Sequence, residues 1–501
     1  MGAPGGARQP SQGDDGHVFG GNKRNIGDLA ARRRRRMWIG FGATLAVLLI
    51  AAAGALVVLE PWTPEFRHGG LTVAAPPAPV KPFPQVAAAP SDAPAPSPAG
   101  VVAALGPALV NPDLGAFAGI VTDADSGTTL WSQDPGTPMI PSSTAKILTT
   151  AAALLALPPD QRVATKVVDG AAPGELVLVG GGDPTLTAQA DGKGYYPNGP
   201  RLADLVAQIR LSGRAVDTIV VDTTAFAGAT MAKGWENADI PGGSIAPIDS
   251  VMIDGGRLDP LVEYSPRTAT PALDAGRRLA AELGLDPERV RAGKAAPDAA
   301  EVASVQSAPL RDRLRDMMVH SDNVLAETIG REIALATGYE PSFDGAVAAV
   351  AATLVKAGFD TNGVVMHDTS GLSTEDRIPA RLLGKIVATA AQSADDTPSG
   401  TNARPAGEKL SATLAPMLDD LPVAGATGSL ASRYVTQNRG GAGWVRAKTG
   451  TLSVASTLVG YVLDRDGRVL AFALMSNDRP PEVSRPALDA IAGTLRNCGC
   501  S

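Results

Sequence analysis

The sequence predicts an α/β (α+β) fold, with one antiparallel sheet closed by segments far apart in the chain, helices between them, an inserted mainly-β subdomain and a preceding transmembrane helix. Three observations carry this reading. Strand-like apolar runs lie near both ends of the globular part, helical segments fill the middle, and residues 164–305 break into short strands and Gly/Pro-rich turns. The chain has 501 residues with 56 Gly, 41 Pro and only 4 % aromatics, so part of it is linker; 44 % hydrophobic residues still suffice for a full-sized core. Residues 1–36 hold eight Lys/Arg against three Asp, so the net charge of −7 conceals a more acidic remainder. That balance argues against a nucleic-acid partner.

Met37 to Leu59 is a charge-free run of 23 residues, preceded by Arg32 to Arg36 and followed by Glu60. As a helix it would extend about 34 Å, enough to cross a bilayer core. The arginines place residues 1–36 inside as a disordered cytoplasmic tail, Trp38 and Trp62 sit at interfacial positions, and everything after residue 60 faces outward. A cleaved signal peptide is the rival, because small residues follow the apolar centre at Ala51 to Ala55. The long leader and full spanning length favour an uncleaved, single-pass anchor. Nine prolines between Val73 and Pro98 make 60–100 a Pro/Ala-rich stalk. Fully extended, that proline stretch would reach about 80 Å.

From residue 101 the pattern is globular. Ala116 to Val121 and Thr128 to Ser132 read as a hairpin across Asp123-Ala124-Asp125-Ser126-Gly127. Ser142 to Leu157 reads as a helix stopped by Pro158-Pro159, and Pro271 to Leu283, Pro309 to Val319 and Asn323 to Ala336 as further helices, the last bounded by Gly338. Thr218 to Val221 is a strand in the insert. Trp444 to Gly450, Ser456 to Leu463 and Arg468 to Met475 read as three strands, and Arg485 to Leu495 as a closing helix. This divides the globular part into 101–163 plus 306–501, with 164–305 inserted. The two cysteines, Cys498 and Cys500, offer at most a small terminal disulfide that constrains almost nothing, so the tail is expected to be structurally unimportant.

Three short motifs follow one another: Ser143-Thr144-Ala145-Lys146, Ser321-Asp322-Asn323 and Lys448-Thr449-Gly450. Each alone is weak. Together and in this order they resemble the signature of the penicillin-binding and serine β-lactamase superfamily. The chemistry agrees. A serine hydroxyl needs a base within about 3 Å, and a lysine at i+3 on a helix shares its face. Lys146 can be that base only if burial and a neighbouring cation, Lys448, depress its pKa. Ser321 would pass the proton to the leaving amine, Asn323 would bind the substrate's backbone amide, and Lys448 and Thr449 would receive the terminal carboxylate. Gly450 would leave room for substrate along the strand, and the N–H groups of Ser143 and Thr451 would form the oxyanion hole.

Other schemes fit poorly. The histidines are His17, His68, His320 and His367, and there is no Gly-x-Ser-x-Gly elbow, which disfavours a Ser-His-Asp hydrolase. His320 reads as packed or solvated. Asp222, Asp254 and Asp259 read as turn acids, so neither a metal nor another cofactor is expected.

The resemblance extends from about residue 105 to 480 and narrows to the D-alanyl-D-alanine carboxypeptidases among the low-molecular-mass class C penicillin-binding proteins. Its marks include Gly181-Gly182-Asp183-Pro184-Thr185-Leu186, Val221-Asp222-Thr223-Thr224-Ala225-Phe226 and Gln306-Ser307-Ala308-Pro309-Leu310. Asp368-Thr369-Ser370-Gly371-Leu372-Ser373 and Gly425-Ala426-Thr427-Gly428-Ser429-Leu430 follow. The resemblance implies a penicillin-binding, transpeptidase-like domain split by an insertion, acting on peptidoglycan stem peptides that end in D-Ala-D-Ala and acylated by β-lactams. It also implies a second insert lost or reduced after Ile253-Asp254-Gly255-Gly256. Gly234-Trp235 matches a family segment that holds the peptide side chain, but the following aromatic and acid are replaced by Asn237 and Ala238, leaving Asp239 next door. On an extended strand that shift turns the carboxylate to the opposite face, whereas on a loop it would still reach; Trp235 and Asp239 are thus candidates for substrate contact, with Trp235 supplying mainly apolar surface and modified or neutral stem-peptide side chains expected to be tolerated. Cross-link endopeptidase activity is compatible with the same chemistry. A β-lactamase is disfavoured because no Glu-x-x-x-Asn follows Ser321, and a non-catalytic β-lactam or muropeptide sensor because the catalytic set is intact.

Overall fold

The computed structural model describes residues 45–59, 93–392 and 406–500. Residues 45–59 are helical with exposed side chains, and among the described residues no helix is long and apolar enough to cross a membrane. The rest of the expected span, the cytoplasmic tail and stalk residues 60–92 lie outside the described residues. Residues 93–500 fall within one compact unit.

That unit begins earlier than residue 101, with helix α1 (Pro98–Leu109). Proline at its first position has no N–H to leave unsatisfied, and the Ser97 side chain accepts from Gly100 N. The chain then forms β1 (Ala116–Asp123) and β2 (Thr129–Gln133), and helix α2 (Lys146–Ala156). The C-terminal part supplies β8 (Arg446–Leu452), β9 (Ala455–Leu463) and β10 (Val469–Asn477). These form an antiparallel five-stranded sheet in the order β8-β9-β10-β1-β2, with Ala116 opposite Asn477 and Lys448 opposite Val459. Strand β8 starts two residues later than the sequence pattern suggests, because Trp444 is held in a turn by Gly441 O.

Both faces of the sheet are covered, so β10 reads as an unbroken apolar run. Leu470, Phe472 and Leu474 enter a core shared with α1 and α8 (Pro481–Asn497), whereas Ala471, Ala473 and Met475 face α2, α6 (Asn323–Thr337) and α7 (Ala380–Ala390). Helix α5 (Leu310–His320) leads into α6. The cysteine tail belongs to this packing, contrary to the sequence expectation. Cys498 is buried and disulfide-bonded to Cys500, whose carbonyl accepts from Ser97 N (2.7 Å) and Ser97 Oγ (3.1 Å). The closed tail thereby caps the start of α1.

The insert is not mainly β. Its sheet joins β3 (Ala164–Asp169), β4 (Glu175–Val179), β5 (Thr218–Asp222), β6 (Arg291–Ala292) and β7 (Glu301–Gln306) in the order β7-β3-β4-β5-β6. The β4–β5 and β5–β6 pairs are parallel. Parallel neighbours need crossovers, supplied here by α3 (Leu202–Leu211) and α4 (Pro271–Leu283). Short strands at turn-rich spacing resemble β-meanders in sequence, which is why the pattern misleads.

Arg313 of α5 is fully buried. Its guanidinium meets both carboxylate oxygens of Glu332 in α6, while Nε donates to Ala308 O (3.1 Å) and Nη2 to Gln161 O (3.2 Å). Removing one partner strands a buried charge, so Arg313→Met is expected to cost about 3–5 kcal/mol in urea unfolding. A loss below about 1 kcal/mol would show that the pair does not tie α5 to α6.

Candidate active site

The first motif does not enter its helix directly. Pro141 and Ser142 turn the chain, with Ser142 at φ 47°, and Ser142–Ala145 form a 3-10 turn before α2 begins at Lys146. The turn is pinned to the sheet: Thr144 Oγ1 and Thr457 Oγ1 both donate to Pro141 O, at 2.6 and 2.8 Å. Gly450 makes this approach possible. A Cβ there would stand 2.1 Å from Thr457 Oγ1 and 2.7 Å from Pro141 O, so the glycine admits the nucleophile turn rather than simply clearing space for substrate. Gly371, at φ 79°, passes even closer to Ser142 O. Within this buried turn Ser143 keeps partial exposure.

Lys146 is wholly enclosed. Its Nζ donates to Ser143 Oγ (3.1 Å), Asn323 Oδ1 (2.6 Å) and Ser370 O (2.8 Å). Burial pulls its pKa down to about 8, against the opposing pull of Asp368, Glu327 and Asp322. Of the two influences the sequence suggested, burial and the Lys448 charge, burial is the one that lowers it. Influence runs the other way: burial and then Lys146 push Lys448 well below the usual lysine range.

The second motif sits on a reversal between two helices. Ser321 ends α5 in the left-handed conformation (φ 58°), and Asp322 caps α6 by accepting from Leu325 N (2.9 Å). Asp322 is buried, which would raise its pKa, but Arg257 and Arg267 hold it near 2. Arg257 Nη2 lies 3.0 Å from Asp322 Oδ2, and Tyr196 OH donates to the same oxygen at 2.9 Å. Asn323 Nδ2 donates to Ser244 O (2.9 Å) while its oxygen holds Lys146, so its amide already bridges the insert to the base.

The third motif lies on β8, an edge strand whose outer side is met at its start by the 422–424 segment, where Ala447 N donates to Pro422 O (3.0 Å). Lys448 is buried, and its Nζ donates to Ser321 Oγ (2.8 Å) and Thr449 O (2.9 Å). It is turned toward Ser321 and away from solvent. Thr449 and Thr451 point to the other face, where Thr449 Oγ1 is 2.6 Å from Ser429 Oγ. The structure thus joins Ser143, Lys146 and Asn323 in one hydrogen-bonded group, with Lys448 and Ser321 beside it.

Trp235 and Asp239 lie in a turn segment, the loop alternative to an extended strand. Trp235 donates Nε1–H to Asp368 Oδ2 (2.7 Å) and packs edge-on against Phe343, with centroids 5.1 Å apart. Asp239 ends a 3-10 turn and accepts from Glu236 N (2.9 Å), so its carboxylate is a local cap. His320 is exposed beside the Tyr195 ring, and Asp222 and Asp259 accept from nearby backbone N–H groups, as turn acids do. Ser370, Ser244 and Glu327 were missed as site residues. Glu327 accepts from Thr369 N and Ser370 N, fixing the loop whose carbonyl holds Lys146. Two segments of the family resemblance contain Ser370 and Ser429, the available signal for them.

The description of the D-Ala-D-Ala carboxypeptidase 3 (S13) family matches residues 101–267 and 259–498. A protein of Mycolicibacterium smegmatis named carboxypeptidase DacB is 45 % identical over 476 residues, which cover 94 % of this chain and 99 % of the relative. A D-alanyl-D-alanine carboxypeptidase of Actinomadura sp. is 29 % identical over 459 residues, covering 76 % and 81 %. The crystal structure of penicillin binding protein 4 from Haemophilus influenzae superposes with a TM-score of 0.62 at 18 % identity, covering 78 % of this chain and 97 % of that one, a likeness of fold. With the family description matching nearly all of the globular unit and a relative this similar along almost the whole chain, the protein belongs to the D-Ala-D-Ala carboxypeptidase 3 (S13) family.

Proposed function

We propose that this serine D-alanyl-D-alanine carboxypeptidase cleaves peptidoglycan stem peptides through an acyl-enzyme on Ser143. The observation that carries the assignment of roles is the fully buried Lys146 Nζ, 3.1 Å from Ser143 Oγ. Neutral Lys146 takes the hydroxyl proton as Ser143 Oγ attacks the carbonyl of the penultimate D-alanine. The N–H groups of Ser143 and Thr451 receive the developing oxyanion. As the tetrahedral intermediate collapses, Ser321, held by Lys448, relays to the leaving amine the proton that Lys146 took, which leaves Lys146 neutral again, and terminal D-alanine departs. Water then attacks the ester, its proton passing to Lys146 and from there to Ser143 Oγ as the acyl C–O bond breaks. A β-lactam enters the same route, but its amine stays tethered after ring opening and the acyl-enzyme persists. Cross-link endopeptidase activity would use the same steps.

In the same reading, residues 37–59 form a single-pass anchor and the catalytic unit faces outward at the cell membrane. Support comes from the five arginines ahead of a charge-free apolar run. Protease added to intact spheroplasts is expected to remove the catalytic unit; digestion confined to residues 1–36 would reverse the orientation.

Intact-mass measurement tests the nucleophile. Penicillin is expected to add one mass equivalent to the wild-type protein and none to Ser143→Ala, and Lys146→Ala is expected to remain folded but unacylated. An adduct on Ser143→Ala would refute the role.

Acylation should also follow pH through the base. Only the neutral amine accepts a proton, and Lys146 titrates at about 8. The penicillin acylation rate is therefore expected to rise about tenfold per pH unit below 8 and to level above it. A rate independent of pH between 6 and 8 would remove Lys146 as the base.

A further inference from the structure

The Ser370 carbonyl can hold Lys146 Nζ only if the loop that carries it, residues 368–373, is itself fixed. Asp368 is the hub of that loop. Fully buried, it accepts from Ser370 N (3.1 Å), Gly371 N (2.6 Å) and Ser373 N (2.7 Å). A fourth donor comes from the insert: Trp235 Nε1–H reaches Asp368 Oδ2 at 2.7 Å. A hydrogen bond to a buried carboxyl group is among the stronger ones a neutral donor can make.

The residues around Trp235 follow the same loop. Ser373 Oγ donates to Lys233 O (2.8 Å), and Lys233 Nζ pairs with Glu375. Gly234, at φ 84°, passes so close that a Cβ there would stand 2.4 Å from Ser373 Oγ. Trp235 and Leu372 pack against one apolar cluster that includes Phe343 and Val324 of α6. On its other side the loop presses on the nucleophile turn, where Gly371 meets Ser142 O. The insert and the turn of Ser143 thus hold the loop between them, and the loop holds Lys146. Apolar surface for a substrate uses the ring of Trp235, which is half-buried, and leaves its N–H without a purpose. The bond to Asp368 supplies one.

We propose that Trp235 is a positioning residue for the base: by donating its indole N–H to Asp368 it holds the 368–373 loop, and with it the Ser370 carbonyl, against Lys146 Nζ, keeping that amine dry and aligned on Ser143. This rests on the acyl-transfer reading of the site. It adds a second route from the insert to the base, separate from the Ser244–Asn323 amide. The charged groups facing Lys146 are Asp368 on the loop, Glu327 and Asp322 of α6 and its cap, and Lys448 on β8; Asp368 in turn faces Asp376 and Glu327. Burial is the largest influence on Lys146 and lowers its pKa. A loop released from Trp235 lets water reach Nζ, which relieves that influence and moves the titration upward.

Trp235→Phe keeps an aromatic ring and deletes the N–H, so it separates positioning from apolar contact. Penicillin acylation of wild type and variant is followed by intact mass from about pH 6 to about pH 9.5. Turnover is measured on two peptides ending in D-Ala-D-Ala, one with lysine and one with glycine in the preceding position. The midpoint of the acylation profile, about 8 in wild type, is expected to rise by about one unit in Trp235→Phe, which makes acylation at about pH 7 about tenfold slower. On both peptides kcat should fall about tenfold while KM stays within about threefold. Ser373→Ala, which removes the bond to Lys233 O, should shift the midpoint the same way by less, and it decides the matter if Trp235→Phe does not fold. An unshifted midpoint, a loss confined to the lysine peptide, or a change in KM alone would overturn the proposal and leave Trp235 as substrate surface. Failure of the underlying reading shows separately, as an adduct on Ser143→Ala or as a wild-type acylation rate that ignores pH.

Discussion

The site depends on the burial of one ammonium group, Lys146 Nζ, among oxygens from three distant parts of the chain. Ser143 Oγ, Asn323 Oδ1 and Ser370 O each accept from it. A lysine taken out of water is costly unless its donors are satisfied, so those segments must arrive together. The positive φ of Ser142, the left-handed Ser321 and the close pass of Gly371 are the backbone forms that the convergence requires. Burial favours the neutral amine, the form that the proposed base role needs, while the surrounding oxygens keep it in place.

Two opposing influences set how far the amine is neutralised. Desolvation lowers its pKa; the buried carboxyls Asp368 and Glu327 raise it, together with Asp322. Those acids are themselves restrained. Asp368 accepts from Ser370 N, Gly371 N, Ser373 N and Trp235 Nε1. Asp376, pushed up to about 10 by burial and by Asp368, holds its proton at neutral pH and does not add a further negative charge. Burial and Asp368 likewise push Glu327 upward, with Arg331 opposing. The Asp368–Ser373 loop thus governs both the place of Lys146 and its tendency to give up a proton. Trp235 is tied to that loop through its indole N–H.

Much of this was legible in sequence where the constraint is local. A serine and lysine three apart in a helical stretch, an Asp-Asn start to an apolar helix, and three alternating runs near the C-terminus all express short-range geometry. They gave the residues that the structure gathers around Lys146, and the antiparallel sheet. What escaped the reading is set by partners far away in the chain. The Arg313–Glu332 pair looks like two surface charges on separate helices, and Ser370 acts through a carbonyl that no side-chain pattern reveals. The parallel strands of the insert depend on two crossover helices, of which the sequence pattern showed Pro271–Leu283 but not Leu202–Leu211. Cys498 and Cys500 looked idle because their importance lies in a backbone carbonyl meeting Ser97, 403 positions earlier.

Hydrogen bonds tie the insert to the second motif. Asn323 can present its oxygen to Lys146 because Ser244 O orients the other end of the amide. Asp322 can remain ionised in a buried position, and cap α6, because Arg257 and Tyr196 reach it from the same insert. Without those groups, Asp322 would face the desolvation cost alone and the Asn323 amide would lose the contact that sets its orientation. The segment between β3 and β7 therefore completes the second motif, and the catalytic unit is built from both parts of the chain at once.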